Sequence, residues 1–152
     1  MIIRPGEEDI PDRDTVIASV PTGLWVGGEQ VPAVDGRAFR VFAPADGQVV
    51  NEAAAAGSAD GVRTLDAAAK AQPEWAATPA RGRAKILRRA RELVIGRRDD
   101  FALLMTLEMR KPLAESYGEV DFSAEFLRWF FRRGSDPDHD PDQWALPAVS
   151  IR

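Results

Sequence analysis

Cysteine is absent from this chain of 152 residues, and histidine occurs only once. Without a thiol, the chain cannot form a disulfide, bind a metal through thiolates or use cysteine as a nucleophile. A chain of this length buries enough surface to fold as one ordinary domain without such cross-links. Because the absence of cysteine is compatible with a reducing compartment, we expect a cytoplasmic protein.

Long apolar segments and a surplus of positive charge are also missing. No apolar run approaches the roughly 18 residues that span a bilayer, and residues 1–9 are acidic where a signal peptide is basic and then apolar. The 20 basic side chains are outnumbered by 24 acidic ones, giving a net charge of −4. A protein that coats nucleic acid needs the opposite balance. We therefore expect a soluble protein with no nucleic-acid partner and no membrane partner.

Two β-hairpins are predicted after a short leader, which we place at residues 1–21. Residues 23–26 and 29–31 flank Gly27-Gly28, and a two-residue glycine connection suits a tight hairpin turn. Residues 37–42 and 48–50 form the second pair, joined by a loop that contains Pro44 and Asp46-Gly47. The alternative for Gly27-Gly28, a loop that cradles phosphate, is disfavoured because no helix follows it.

Four helices are predicted next, from the recurrence of apolar residues at spacings of three and four. Ser58 is the expected N-cap of the first helix, and Val62 and Leu65 begin its apolar stripe. Thr78 caps the second, with Pro79 at its first position. The predicted ranges are 58–75, 78–96, 99–111 and 112–131. The fold class is therefore α/β, with hairpins followed by helices that pack as antiparallel neighbours.

Residues 132–152 differ in character from the helices. They lack helical periodicity and contain Pro137 and Pro141, so we predict a disordered C-terminal tail. Aspartates alternate along it as at the start of a calcium loop, and a histidine lies among them; these residues are Asp136, Asp138, His139, Asp140 and Asp142. The pattern lacks the central glycine and the closing glutamate of an EF-hand, so we assign no metal site.

Three further groups of residues were considered as candidate sites. Residues 81–98 are rich in arginine and suit either a phosphate-binding patch or, as we prefer, a solvated helix face. Glu108, Glu115, Glu119 and Glu125 have the spacing of exposed helical positions, and no histidine or serine–histidine pair accompanies them. Four aromatic residues are interpreted as core or docking groups rather than a ligand cage: Trp25, Trp75, Trp129 and Phe130.

Several segments resemble the N-terminal part of the aldehyde dehydrogenase superfamily, in register from about residue 22 to residue 130. They are Leu24-Trp25-Val26-Gly27-Gly28-Glu29, residues 39–50, Ala71-Gln72-Pro73-Glu74-Trp75-Ala76-Ala77-Thr78-Pro79, residues 83–89, Leu107-Glu108-Met109-Arg110-Lys111-Pro112, Gly118-Glu119-Val120 and Glu125-Phe126-Leu127-Arg128-Trp129-Phe130. The branch most similar to this chain contains succinate-semialdehyde dehydrogenases. The resemblance implies that residues 22–131 are a partial N-terminal domain, the incomplete start of the family's cofactor-binding domain.

The resemblance also implies which functional groups this chain does not contain. Complete members oxidise an aldehyde to the acid with NAD or NADP, using a cysteine nucleophile, a glutamate that activates water and an asparagine that stabilises the oxyanion. All of these lie later in the family's sequence. We therefore assign no catalytic, cofactor-binding or metal-binding residue, and we expect this fragment to bind no cofactor.

Three positions depart from the family's usual pattern. Arg110 stands where the family has glycine before Lys-Pro, at a helix end where a left-handed residue costs a non-glycine side chain about 1 kcal/mol. Ala43 and Asp46 lie in a segment that usually reads Asn-Pro-x-Thr-Gly. These departures lead us to expect weakened local turns.

The end of the resemblance suggests a shift of reading frame. A back-translation of residues 131–146, with codons chosen within the degeneracy of the code, reads S-E-E-A-V-I-R-I-M-T-P-T-S-G-R after loss of one nucleotide, close to the family's continuation. We expect a truncated dehydrogenase with an out-of-frame tail at residues 132–152. Partners would be a full-length aldehyde dehydrogenase or a second copy held by exposed apolar faces. The alternatives are a non-catalytic interaction module and a small helical nucleic-acid-binding protein.

Overall fold

The computed structural model describes residues 11–133, which form four strands and five helices. In chain order these are α1 (Arg13–Ala18), β1 (Leu24–Val26), β2 (Glu29–Val31), β3 (Ala38–Phe42), β4 (Val49–Ala54), α2 (Ser58–Ala77), α3 (Ala80–Gly96), α4 (Arg98–Met109) and α5 (Leu113–Arg133). The predicted α/β class, with hairpins followed by helices, is confirmed. The predictions for residues 134–152, including those for the aspartates and His139, concern residues outside the described part of the chain.

The first predicted hairpin is confirmed. β1 pairs antiparallel with β2, and Trp25 lies opposite Gln30. Gly27 and Gly28 join the strands with φ angles of +62° and +88°, a conformation that side chains with a Cβ rarely adopt. A strand follows the two glycines directly, so the turn interpretation is correct.

The second hairpin is longer than predicted. β3 pairs antiparallel with β4 from Ala38 opposite Ala54 to Phe42 opposite Val49, with a register shift at Val41/Phe42. Its loop is well closed despite the unusual residues at Ala43 and Asp46. The N–H of Ala43 donates to the carbonyl of Gln48 at 2.8 Å, and the carboxylate of Asp46 accepts from the N–H of Gln48 at 3.0 Å. The loop is thus hydrogen-bonded at both of these residues, and the weakening of this turn stays a prediction.

Helix α1 was not predicted, since it lies within the segment taken as a leader. Asp12 caps its N-terminus by accepting hydrogen bonds from the N–H of Thr15 at 2.8 Å and its hydroxyl at 2.7 Å. Val16 is buried, and α1 packs against α4. The helix has only six residues, so its apolar period was too short to recognise.

The apolar stripe predicted for α2 does not face a core. Val62 is 59% exposed and Leu65 is 71% exposed, whereas the residue buried on this helix is Asp60. The N-cap is Gly57 rather than Ser58, and the helix continues through Pro73 to Ala77. The main contact of α2 among the described elements is with β1, so its apolar positions find little to pack against.

Helices α3, α4 and α5 form the packed part of the structure. Thr78 ends α2 instead of capping α3, and Pro79 takes the N-cap position. Helix α5 contacts both α3 and α4. The expectation that helices joined by short breaks are neighbours is met by α4 and α5, whereas α2 and α3 are not among the main contacts of the described elements. The central cluster is Ala102, Tyr117 and Val120, with Val94, Met105 and Leu113 packed around it. Within residues 11–133, no helix has both the length and the apolar character that crossing a membrane requires.

Candidate functional site

A row of exposed aromatic side chains lies along α5, and we call it the aromatic stripe. It consists of Phe122, Phe126, Trp129 and Phe130, which are 66%, 54%, 45% and 54% exposed. Spacings of four, three and one residues place all four on one side of the helix. With Glu125 they border an open groove of about 470 Å³. A surface of this kind is typical of an interaction site.

The rings of the stripe contact one another in pairs. Phe122 and Phe126 meet edge to face at 5.0 Å between ring centroids, and Trp129 and Phe130 do so at 4.9 Å. Such pairs are favourable beyond the area that they bury. The stripe is therefore an ordered apolar surface, although water still covers about half of each ring.

The opposite side of α5 explains why the stripe faces outward. Ser116, Tyr117, Val120 and Ala124 are buried where α5 packs on α3 and α4. The hydroxyl oxygens of Ser116 and Thr106 are 3.0 Å apart, so a polar pair joins α5 to α4 within this contact. Helix α5 thus has two apolar sides, of which the described structure covers one.

The aromatic residues singled out from the sequence are not core residues. Trp25 is 67% exposed and Trp75 is 44% exposed, and Trp129 and Phe130 belong to the stripe. The core interpretation is wrong for all four, and the docking interpretation stays a prediction. Phe122 and Phe126 were missed as candidates, although the recurrence of phenylalanine every four residues, at Phe122, Phe126 and Phe130, was a usable signal.

Ion pairs anchor α5 to the rest of the structure. Arg98 binds Asp121 through two hydrogen bonds of 2.7 Å each, from Nε to Oδ1 and from Nη2 to Oδ2. These bonds lower the pKa of the Asp121 carboxyl below its usual value. Glu125 pairs with Arg91 at 3.5 Å and with Arg128, and Glu119 pairs with Lys111. Asp121, Glu125 and Glu119 therefore hold α5 to α4, to α3 and to the segment before α5, respectively.

The four glutamates considered for acid–base chemistry do not form a site. Glu119 and Glu125 are engaged with cations, and Glu108 and Glu115 are exposed. Within residues 11–133, no group of three or more histidine, aspartate or glutamate side chains is placed to hold a metal ion. The interpretation of these residues as ordinary helical positions is consistent with this arrangement.

Most of the arginines in residues 81–98 are engaged within the chain. Arg83 donates to the carbonyl of Thr78 at 2.7 Å, Arg88 lies 5.2 Å from the centroid of Phe131, Arg89 pairs with Glu92, Arg91 with Glu125, Arg97 with Asp100 and Arg98 with Asp121. Arg81 and Lys85 have no such partner within the described part of the chain. The free cationic surface is thus much smaller than the composition suggests.

A buried carboxylate at the start of α2 was missed by the sequence analysis. Asp60 is 2% exposed, and its side chain accepts from the N–H of Val34 and the N–H of Gly57 at 3.0 Å each and from Arg63 at 3.1 Å. It joins the segment after β2 to the N-terminus of α2. The signal was available, since an acidic residue at the third helical position is typical of a capping box. All its partners are structural, so we assign it no chemistry.

Comparison with known proteins identifies the family. Residues 31–143 match the sequence profile of the aldehyde dehydrogenase family. A succinate-semialdehyde dehydrogenase of Paenarthrobacter nicotinovorans is 64% identical over 77 residues, 51% of this chain and 17% of that protein. A glutarate-semialdehyde dehydrogenase of Pseudomonas aeruginosa is 40% identical over 125 residues, 78% of this chain and 26% of that protein.

Solved structures agree with the sequence comparison. The crystal structure of a succinate-semialdehyde dehydrogenase from Burkholderia pseudomallei is 41% identical, with a TM-score of 0.69 over 71% of this chain and 22% of that one. The matches include a complex with nicotinamide adenine dinucleotide. The chain spans about a quarter or less of the length of these relatives. Since the family match covers most of the sequence and the folds agree, the chain belongs to the aldehyde dehydrogenase family.

Proposed function

We propose that this chain supplies the N-terminal hairpins and helices of a semialdehyde dehydrogenase, and that it does not oxidise an aldehyde by itself. The family reaction is NAD(P)-dependent oxidation of an aldehyde such as succinate semialdehyde or glutarate semialdehyde. The observation that carries the second part is the absence of cysteine from all 152 residues. Without a thiol, no thiohemiacetal can form, and hydride transfer to nicotinamide has no bound intermediate to start from.

A role for NAD or NADP is inferred from family membership and not from any residue of this chain. NAD supplies the hydride acceptor in complete enzymes. Among residues 11–133, the two glycines with the most suggestive spacing, Gly27 and Gly28, form a hairpin turn rather than a phosphate loop. We therefore infer that this chain alone does not hold the dinucleotide.

The activity assay is direct. Purified chain is incubated with succinate semialdehyde or glutarate semialdehyde and with NAD or NADP, and reduced nicotinamide is followed by its absorbance. We expect no turnover above the rate without protein, and a matched full-length relative is the positive control. Turnover that follows this protein through purification and scales with its concentration would contradict the proposal.

The reading frame after residue 131 is a separate part of the proposal. The genetic code allows a nucleotide sequence for residues 131–146 that, after loss of one nucleotide, encodes a continuation of the family pattern. This compatibility supports an out-of-frame segment at residues 132–152. The family match itself extends to residue 143. The deciding measurement is therefore the nucleotide sequence around codon 131: we expect the family continuation in the neighbouring frame, and an unrelated sequence there would exclude a shift.

An interaction module is the second candidate, and the exposed aromatic stripe favours it. In this alternative the chain docks on a complete dehydrogenase without contributing to catalysis. Co-purification of tagged chain with a full-length relative tests it, with a Phe126→Glu variant as the control that places a charge in the stripe. The nucleic-acid alternative has less support, because most arginines of residues 81–98 already have partners.

A further inference from the structure

A row of three cations runs along the outward side of α3. Arg81, Lys85 and Arg89 are spaced four residues apart, so each lies about one turn, or about 6 Å along the axis, from the next. All three residues are exposed. Among residues 11–133, Arg81 and Lys85 have no charged partner, and that of Arg89 is Glu92 at 3.4 Å, with both side chains more than half exposed. We call these three residues the basic row, and the described chain leaves most of its charge unbalanced.

An apolar groove continues the basic row. Ile86 and Leu93 are at least half exposed, and they border an open groove of about 390 Å³ together with Ala90 and the side chains of Lys85 and Arg89. Leu93 lies four residues after Arg89, so it extends the row by one turn. The outward side of α3 thus presents three cations followed by an apolar surface, in that order from the N-terminus of the helix.

Helix α5 ends beside the basic row. Arg91 pairs with Glu125 at 3.5 Å, and the guanidinium of Arg88 lies 5.2 Å from the centroid of Phe131. Because the contacts move back along α3 as they move forward along α5, the two helices are antiparallel. The end of α5 therefore lies beside the turn of α3 that contains Lys85. The next residues, 134–138, reach at most about 17 Å when extended, which is enough to cross to the row.

The sequence after α5 matches the outward side of α3 in charge and in spacing. Aspartates stand at positions 136, 138, 140 and 142, and Trp144 follows two residues later. Every second side chain of an extended segment lies on the same side, about 6–7 Å from the last, and Pro137 and Pro141 favour extended conformations in the residues before them. An extended segment with an aspartate at every second residue is therefore complementary to a helix with a cation at every fourth.

We propose that residues 138–144 bind the outward side of α3 and run parallel to it. The contacts are Asp138 with Arg81, Asp140 with Lys85, Asp142 with Arg89, and Trp144 with the apolar groove. The reverse direction would place Trp144 beyond the start of α3, away from the groove. The pairing rests on α3 and on the sequence after α5, so it does not depend on the proposed function or on the reading frame.

Attachment to the same chain makes these weak contacts effective. An exposed ion pair contributes little on its own, but a segment joined to α5 has a high effective concentration at α3, where several contacts form together. The composition of residues 132–152 predicts disorder for that segment in isolation. The basic row supplies the partner charges that such a prediction leaves out.

A disulfide introduced between the segment and α3 tests this position. The chain has no cysteine, so Leu93→Cys/Ala145→Cys contains two thiols, which the proposed contacts bring into disulfide range. At low protein concentration, mild oxidation should close this intramolecular disulfide on the order of tenfold faster than that of a Phe126→Cys/Ala145→Cys control. Circular dichroism verifies that both variants keep their helices.

The control is chosen to favour random contact. Phe126 and Leu93 are similarly exposed, but Phe126 is closer to Ala145 along the chain, and a shorter loop closes more readily. A segment without a preferred position would therefore cross-link Phe126→Cys at least as fast as Leu93→Cys. That result would overturn the proposal, and it is also the result expected if the segment covered the aromatic stripe instead.

Charge reversal tests the pairs. In the Leu93→Cys/Ala145→Cys background, Lys85→Glu or Asp140→Lys alone should slow disulfide formation several-fold, because each places like charges opposite one another. The two changes together should restore the rate. Lys70→Glu, at an exposed position of α2, alters the net charge as Lys85→Glu does and should have no such effect. If the double variant does not recover, or if Lys70→Glu slows the reaction as much, the pairing is wrong.

The same assay identifies other occupants of α3. Disulfides between chains rather than within one chain would assign the groove to a second copy. An equimolar single-stranded oligonucleotide should leave the rate unchanged, since the attached segment has the higher effective concentration. Suppression of the disulfide by the oligonucleotide at low salt would assign the basic row to nucleic acid. Either result would overturn the proposal.

Discussion

Arg110 is the residue whose backbone conformation conflicts most clearly with its side chain. It ends α4 with φ +55° and ψ +27°, and its N–H donates to the carbonyl of Thr106 at 3.0 Å. It is the non-glycine residue with positive φ in the described part of the chain. The glycine that the family usually has at this position implied a left-handed cap, and the structure confirms it.

Replacement of Arg110 should therefore stabilise the protein if the new residue is glycine. We expect Arg110→Gly to raise the free energy of unfolding by up to about 1 kcal/mol, because the strain of a Cβ in this conformation is relieved. Denaturant titration measures the change. Arg110→Ala is the matched control, since it removes the same side chain but keeps the Cβ, and it should give no comparable gain. Equal effects of the two variants would contradict the strain explanation.

Asp60 is the residue on which the junction between the hairpins and α2 depends. Asp60→Ala leaves the N–H groups of Val34 and Gly57 without their acceptor and removes one of the two acceptors of Arg63. We expect a loss of about 1–3 kcal/mol, the usual cost of buried donors left unpaired. Thermal and denaturant unfolding measure it.

The control for Asp60 is on the same helix. Asp66 is exposed on α2, and Asp66→Ala should change stability by no more than about 0.5 kcal/mol. Similar losses of stability for the two variants would show that the hydrogen bonds of Asp60 do not account for the destabilisation.

At the scale of elements, the contact of α4 with α5 includes an ion pair that responds to pH. The two hydrogen bonds from Arg98 lower the pKa of the Asp121 carboxyl. A lowered pKa in the folded state stabilises the protein at pH values above the unfolded pKa of about 3.9. This stabilisation is lost as the pH falls through the lower folded value, because protonation then breaks the pair.

The matching prediction compares Asp121→Asn with the unmodified chain across pH. At pH 7 the variant should be less stable by no more than about 1 kcal/mol, since half of the Asp121 side chain is exposed and the pair is screened. The difference should shrink as the pH falls below about 4. Asp66→Asn, at an exposed position of α2, is the matched control for the change from aspartate to asparagine. A difference that persists in acid would exclude this ion pair as its source.

At the scale of the whole molecule, the core consists of small side chains apart from Tyr117. The buried apolar residues of the described chain are Val16, Ala33, Ala43, Val50, Ala84, Ala102, Tyr117, Val120 and Ala124. Larger ones stay in water: Leu93 is 50% exposed, and Leu87, Leu104 and Leu127 are only half-buried. Burial of a large apolar side chain contributes about 1.5–3 kcal/mol to stability. Because several such side chains are not fully buried, we expect a free energy of unfolding well below that of an ordinary domain.

We expect the isolated chain to be rich in helix, to bind a hydrophobic dye and to unfold over a broad temperature range. Dye fluorescence at low protein concentration, together with calorimetry, measures both properties. Phe122→Ser/Phe126→Ser is a useful comparison, since it should lower dye binding without disturbing the buried side of α5. A sharp, reversible unfolding transition without dye binding would show that the described helices form a complete core.

Local sequence determined the elements of this protein, and long-range contacts decided which sides of them are buried. Hairpin turns and helix order follow from glycine, proline and apolar spacing, which act within a few residues, whereas the left-handed cap at Arg110 was implied by the family resemblance. The sequence could not show that Val62, Leu65 and the aromatic stripe stay exposed. An apolar period predicts which side of a helix is apolar, but not whether another element of the fold covers that side. Nor could it show the burial of Asp60, since its acceptor bonds reach back to Val34. Only the tertiary structure brings such distant groups together.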